Sequence, residues 1–275
     1  MTKNLDHLTK AERIERKLGK DRFPDLFFYT HIPEAWEIPT AAKYFHDGKT
    51  DWRDLKNITI EYDGVEYRFN NLGYRCHYDY DVEDLKTKKN ILCVGDSDIY
   101  GPYKHYEDLW CTQLQKKLPD YNIIPLAAPA WADDTIARST VCTIKALGNS
   151  VKHVCLMWPA PSRREFVKKD YKKILTNAAP TDIPYEEFWD HLDWVNNNYN
   201  YTRNQNLVKF VCEAYGINLI DLLIITNGKN NEFESDGDRF GKGIYGKNAH
   251  IAFTNYFYKK IMNEPSLYES LSHKK

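Results

Sequence analysis

Apolar and polar positions along the chain change rhythm near residue 90. Beyond it, short apolar runs alternate with stretches in which apolar residues recur every three or four positions. The runs 91–95 (ILCVG), 122–126 (NIIPL), 151–158 (VKHVCLMW) and 217–225 (INLIDLLII) have strand length. Near-continuous apolarity at that length fits strands buried on both faces. The longer period predicts helices over 107–117, over 133–147, within 184–215 and from about 248 to 262. Such alternation predicts a parallel sheet with helices on both faces, its ligand site beyond the carboxyl ends of the strands near a topological switch point.

Before residue 90 the pattern is different. Thr9 and Glu12 make a capping-box pair, with Ala11, Ile14 and Leu18 at helical spacing and Gly19 as a stop, so a short amphipathic helix is expected. Residues 58–69 (ITIEYDGVEYRF) contain two β-rich segments joined by Asp63-Gly64, a pair preferred in two-residue type I′ turns, and predict a hairpin. In the acidic run 77–85, Asp79, Asp81 and Glu83 alternate as in a calcium loop, but its glycine and terminal glutamate are missing. The run reads as a solvated linker. The expected organisation is an N-terminal extension over 1–85 and an α/β domain over 86–275.

Composition narrows the partners. The 275 residues carry 38 Lys plus Arg against 39 Asp plus Glu, a balance that gives no support to phosphate tracking on nucleic acid. No run of eighteen apolar residues occurs, and the first twenty residues are too charged for a signal-peptide core, so neither a membrane span nor export is expected, and the cytoplasm is. Six cysteines without a CxxC pair read as reduced core residues. No Walker A pattern, zinc spacing or HExxH is present, and Gly241-x-Gly243-x-x-Gly246 lacks a preceding strand, so no metal or cofactor is expected. Twenty tyrosines and seven tryptophans fit either core packing or stacking on sugar rings.

The first apolar strand ends in Gly95-Asp96-Ser97-Asp98-Ile99-Tyr100-Gly101, which sets a serine on the turn at its carboxyl end. Such a turn holds a hydroxyl clear of the core and near backbone N–H groups. The block 91–101 (ILCVGDSDIYG) resembles the first block of the SGNH (GDSL-type) hydrolases. Glu107-Asp108-Leu109-Trp110 with Leu114 is similar to that family's next helix, and Tyr67–Arg75 (YRFNNLGYR) resembles a lead-in that some members carry. The resemblance covers roughly residues 60–262. It implies a three-layer α/β/α, flavodoxin-like parallel sheet preceded here by the helix and hairpin extension. It also implies ester hydrolysis with Ser97 as nucleophile, its N–H in the oxyanion hole, and Gly95, Asp96 and Asp98 around the substrate.

Further blocks match in part. Within 126–135 (LAAPAWADDT) Ala130 stands where the family has a glycine N–H donor, and Trp131 follows as a substrate-side aromatic. The asparagine of the third block is missing from 158–165 (WPAPSRRE), where Arg163 or Arg164 is the alternative oxyanion partner. The family's Asp-x-x-His is absent: none of the nine histidines follows a carboxylate by three residues. Through Tyr245, Gly246 and His250 the alignment puts Gly241 and Ile244 at the dyad, and through Asp236-Gly237 it puts Arg239 at the histidine. The remaining candidates for a base are His250, His105, Asp236 and Asp238. The resemblance thus implies a small-molecule or glycan acyl ester as substrate. A catalytically impaired SGNH-fold module, binding a ligand or serving in an assembly, is the alternative that the missing dyad leaves open.

Overall fold

Four apolar runs form one parallel sheet. They are β3 (Asn90–Gly95), β4 (Asn122–Ala127), β5 (Val151–Trp158) and β8 (Asn218–Leu223), in the order β4-β3-β5-β8. The structure is a computed structural model that describes residues 57–62, 64–129, 131–159, 161, 164–167, 174–177, 194–223 and 246–263. The chain leaves central β3 for edge strand β4, then crosses back to β5 on the other side. The order therefore reverses at β3, and the crevice of such a sheet opens beyond the carboxyl ends of β3 and β5.

Alternation along the strands sorts the core into two layers. Leu92 and Val94 of β3, Ile124 and Leu126 of β4, and Val154, Leu156 and Trp158 of β5 pack on one face. There they meet Ile136 and Ile144 of helix α4 (Asp133–Leu147) and Val208 and Cys212 of helix α5 (Trp194–Ala214). Ile91 and Cys93, with Ile123, Cys155 and Met157, pack on the other face against Trp110 and Leu114 of helix α3 (Trp110–Lys117) and Phe253 and Phe257 of helix α6 (Lys247–Ile261). This is the three-layer α/β/α arrangement that the alternation predicts. On the first face, the Asp134 carboxylate accepts from Asn200 and Asn204, each at 3.0 Å, and ties α4 to α5.

The hairpin forms as its turn chemistry predicts. Strand β1 (Thr59–Tyr62) pairs antiparallel with β2 (Val65–Arg68), Tyr62 opposite Val65, so two residues turn the chain and the second, Gly64, has φ 71°. Val65, Tyr67 and Phe69 enter the second core layer, and Tyr74, Cys76, Tyr80 and Leu85 enter the first.

Residues 77–85 are not a solvated linker. Half-buried Tyr78 and buried Tyr80 donate their hydroxyls to the carbonyls of Ile123 and Pro125, the latter at 2.7 Å. Asp81 caps the short helix α1 (Val82–Lys86) by accepting from the N–H groups of Glu83 and Asp84. Asp79 accepts from the Asn71 N–H at 2.9 Å. Asp79 and Asp81 thus serve backbone donors, Glu83 pairs with Lys86 and Asp84 with Lys88, and no cluster of three metal-ligating side chains occurs among the described residues. Ile123 and Pro125 lie at the same parity of edge strand β4, with their backbone groups directed away from β3. Proline at such a position forfeits no ladder bond.

Observed element boundaries fall within two residues of expectation for β3, β4, α4, β5, β8 and α6. The segment 107–117 divides into a 3-10 turn (Tyr106–Asp108) and α3. A second antiparallel hairpin, β6 (Arg164–Val167) with β7 (Ile174–Asn177), was not expected from the lysine-rich sequence between them. The expected helix at 9–18 and the Gly241-x-Gly243 pattern lie outside the described residues. All six cysteines are free and buried. No helix among the described residues is long and apolar enough to cross a membrane.

Candidate functional site

Ser97 opens a four-residue helix, α2 (Ser97–Tyr100), on the turn that leaves β3 at the switch point. The turn is fixed at both ends. Buried Asp96 stands at the N-cap with φ −110° and ψ −134°, its carboxylate accepting from the Asp98 N–H at 3.4 Å. At the other end Gly101 adopts φ 65° and returns its N–H to the Ser97 carbonyl at 2.8 Å. A Cβ on Gly101 would stand 2.0 Å from Leu109 Cδ2, so only glycine fits this left-handed cap. Gly95 is required by space: a Cβ there would stand 2.8 Å from Ile99 Cδ1 and 2.9 Å from the Met157 carbonyl oxygen of β5. These contacts leave Ser97 half-buried at the sheet's carboxyl edge, while Asp98, Ile99 and Tyr100 are buried.

Arg75, from the lead-in, reaches the far side of the same turn. Its guanidinium is buried and gives all four terminal N–H groups to backbone carbonyls: Tyr100 at 2.9 Å, Gly101 at 2.6 Å, Lys104 at 2.5 Å and Glu66 at 3.3 Å. It lies 4.2 Å from the ring centroid of Tyr67 and 5.6 Å from that of Tyr100. Burial lowers its pKa below the ordinary guanidinium value. The Tyr67 hydroxyl accepts the N–H of Tyr103, a non-glycine residue held at φ 59°.

The candidate bases are placed differently. His250, in the first turn of α6, is buried, and its Nδ1 accepts the backbone N–H of Trp110 at 3.3 Å. Helix α3 has no side-chain cap of its own at Leu109, so His250 serves one of its orphan donors. The Thr254 hydroxyl lies 2.8 Å from the His250 carbonyl and 3.3 Å from that of Trp110, and Lys247 pairs with Asp108 at 2.8 Å. His105 is exposed at the start of the 3-10 turn, with no side-chain cap bond.

Trp131 lies in the core, its ring edge-on to Tyr74 at 6.1 Å. Trp110 and Trp158 are likewise buried, so these three tryptophans pack the interior. Ala130, Arg163, Asp236 and Asp238 lie outside the described residues. The structure therefore carries Gly95, Asp96, Ser97 and Asp98 on one turn and puts His250 at the junction of α3 and α6. Arg75 was legible only as part of a lead-in; its spacing from Ser97 gives no sign of the contact, because the hairpin and a loop intervene.

No protein-family model matches the chain, and no curated protein does. Among solved structures, a carbohydrate acetylesterase family member from Sinorhizobium meliloti is 12% identical, over 64% of this chain and 98% of that one, with a TM-score of 0.34. A psychrotrophic esterase from Pseudoalteromonas sp. is 15% identical over 64% and 98%, with a TM-score of 0.36. A lipolytic protein of the G-D-S-L family from Veillonella parvula is 12% identical over 64% and 99%, with a TM-score of 0.34. The fold is read from the chain's own strand order and from the turn that carries Ser97. The chain's own β4-β3-β5-β8 sheet, layered between helices with Gly95-Asp96-Ser97 at its switch point, is a doubly wound α/β/α architecture.

Proposed function

We propose that the protein is a serine ester hydrolase acting on acetyl or short acyl esters, those of carbohydrates among them, in the cytoplasm. One observation carries the reading: a half-buried serine on a turn fixed at both ends, at the switch point of a doubly wound sheet. In the proposed reaction Ser97 Oγ attacks the ester carbonyl carbon as its proton passes to a base. The carbonyl oxygen becomes an oxyanion held by the backbone N–H groups of Ser97 and Ala130. Collapse breaks the bond to the alcohol, which leaves protonated, and water then releases the acid from the acyl-serine. His105, His250, Asp236 and Asp238 are the candidate bases.

A second reading, a binding module without catalysis, is favoured by one contact. Nδ1 of His250 is engaged by the Trp110 N–H, a structural task, and no histidine follows a carboxylate by three residues. The two readings separate in hydrolysis of short-chain aryl esters and acetylated sugars, run with fluorophosphonate labelling on the native chain and on Ser97→Ala. The esterase reading expects turnover and labelling that vanish in the variant. Their absence from the native chain supports the binding module.

A further inference from the structure

Arg75 is a buried cation whose four hydrogen-bond acceptors are all neutral backbone carbonyls, and three of these belong to the last residue of the Ser97 helix, Tyr100, and to Gly101 and Lys104 just after it. Two of the three, Tyr100 and Gly101, close the carboxyl end of α2, where helix geometry leaves carbonyls without an intrahelical donor. The link to Ser97 is short: Gly101 accepts from Arg75 through its carbonyl and donates its N–H to the Ser97 carbonyl. The fourth acceptor, Glu66, lies on β2, so the guanidinium joins the hairpin to the turn. Beside it, Tyr67 of β2 holds the Tyr103 N–H at 2.8 Å while Tyr103 occupies a left-handed backbone conformation. Such a conformation persists only where its surroundings over-determine it.

We propose that Arg75, assisted by Tyr67, is the positioning residue for the nucleophile turn: the hairpin and lead-in act as a clamp that fixes segment 97–104 and thereby the direction of the Ser97 hydroxyl and N–H. This rests on the esterase reading for what is positioned. The planar fork matters because it addresses Tyr100, Gly101, Lys104 and Glu66 at once from fixed directions. A lysine at the same place keeps the charge and loses that geometry.

The test compares the full native chain with Arg75→Lys and Tyr67→Phe by amide hydrogen exchange, by the second-order rate of fluorophosphonate labelling, and by kcat and KM for an aryl ester. Arg75→Lys is expected to speed exchange over residues 99–104 by about tenfold or more while β5 amides stay protected. Labelling and kcat should fall by about 10-fold to 100-fold, the scale of a 1 Å misplacement, with KM within about twofold. Unchanged exchange over 99–104, or native labelling from a loosened turn, overturns the proposal. If Arg75→Lys loses β5 protection as well, Tyr67→Phe decides, because it deletes a single hydroxyl: slower labelling supports the clamp and native labelling refutes it. A native chain that neither hydrolyses nor labels overturns the esterase reading and the positioning role with it, and exchange over 99–104 still shows separately whether the clamp exists.

Discussion

Replacing Gly95 by alanine adds one methyl group at the most crowded point beneath Ser97. The new Cβ would meet Ile99 Cδ1 at 2.8 Å and the Met157 carbonyl oxygen at 2.9 Å. The isoleucine can swing aside, whereas the carbonyl belongs to the β5 backbone and can retreat only by distorting the sheet. Overpacking of this kind costs about 1–3 kcal/mol. Alanine also restricts the unfolded chain, which offsets about 0.4–1 kcal/mol. A net loss of about 1–2 kcal/mol follows, or roughly 2–8 °C in Tm at about 2–4 °C per kcal/mol for a domain of this size. Calorimetry on Gly95→Ala, on Gly95→Ala/Ile99→Val and on Gly64→Ala tests the reasoning. The Ile99→Val change removes Cδ1 and should restore part of the loss. Gly64, with φ +71° and nothing within 4 Å of its Cβ position, loses stability through backbone strain alone and reports what conformation without crowding costs. A Tm for Gly95→Ala at or above the native value would refute the crowding argument.

Three further outcomes are expected. His250→Ala should lower stability by about 1–3 kcal/mol, because the buried Trp110 N–H loses its acceptor; if the role is structural, fluorophosphonate labelling well below Tm stays at the native rate, whereas a loss above about a hundredfold identifies His250 as the base. Burial lowers His153 and His77 below the ordinary histidine pKa of about 6.5, so the unfolded chain takes up protons first; their contribution is whole above about pH 6.5 and is lost as pH falls towards the folded-state values. The Tm should drop as pH falls below about 6.5, and His153→Gln should shrink that drop, an equal drop in the variant counting against the assignment. Burial raises the thiol pKa of Cys142 to about 11 and of Cys212 to about 12, and Cys93 and Cys155 are also raised well above the usual value by burial, so the native chain should react slowly with an aromatic disulfide reagent at pH 8 and the unfolded chain should titrate six thiols.

The elements read correctly from sequence are those whose environment is uniform along their length. Strand β3 from Ile91 and strand β5 from Val154, buried on both faces, appear as unbroken apolar runs, and α4 shows its apolar face at helical spacing. In the segment 77–85 the acidic residues are exposed, as read, but Tyr78, Tyr80 and Leu85 between them dock on the core. Its tyrosines are the informative residues, and their partners are carbonyls 45 positions away, a distance that no local pattern encodes. Hairpin β6–β7 was missed for a related reason: the charged stretch between its strands masks two short segments. At the site, Gly-Asp-Ser marked the turn because glycine, a capping carboxylate and a hydroxyl are what such a turn needs. Arg75 could not be assigned a task, since its acceptors are backbone carbonyls, which every residue has.

The tyrosine hydroxyls on β4 have a consequence for how copies of this chain meet. An open strand at the border of a sheet is a template for another chain, which would pair with its outward carbonyls and amides. On β4 the carbonyls of Ile123 and Pro125 are occupied, the Ile123 N–H is held by the Gln115 side chain at 2.9 Å, and Pro125 has no N–H to offer. At Ile123 and Pro125, on that border of the described sheet, intermolecular strand addition is therefore blocked chemically.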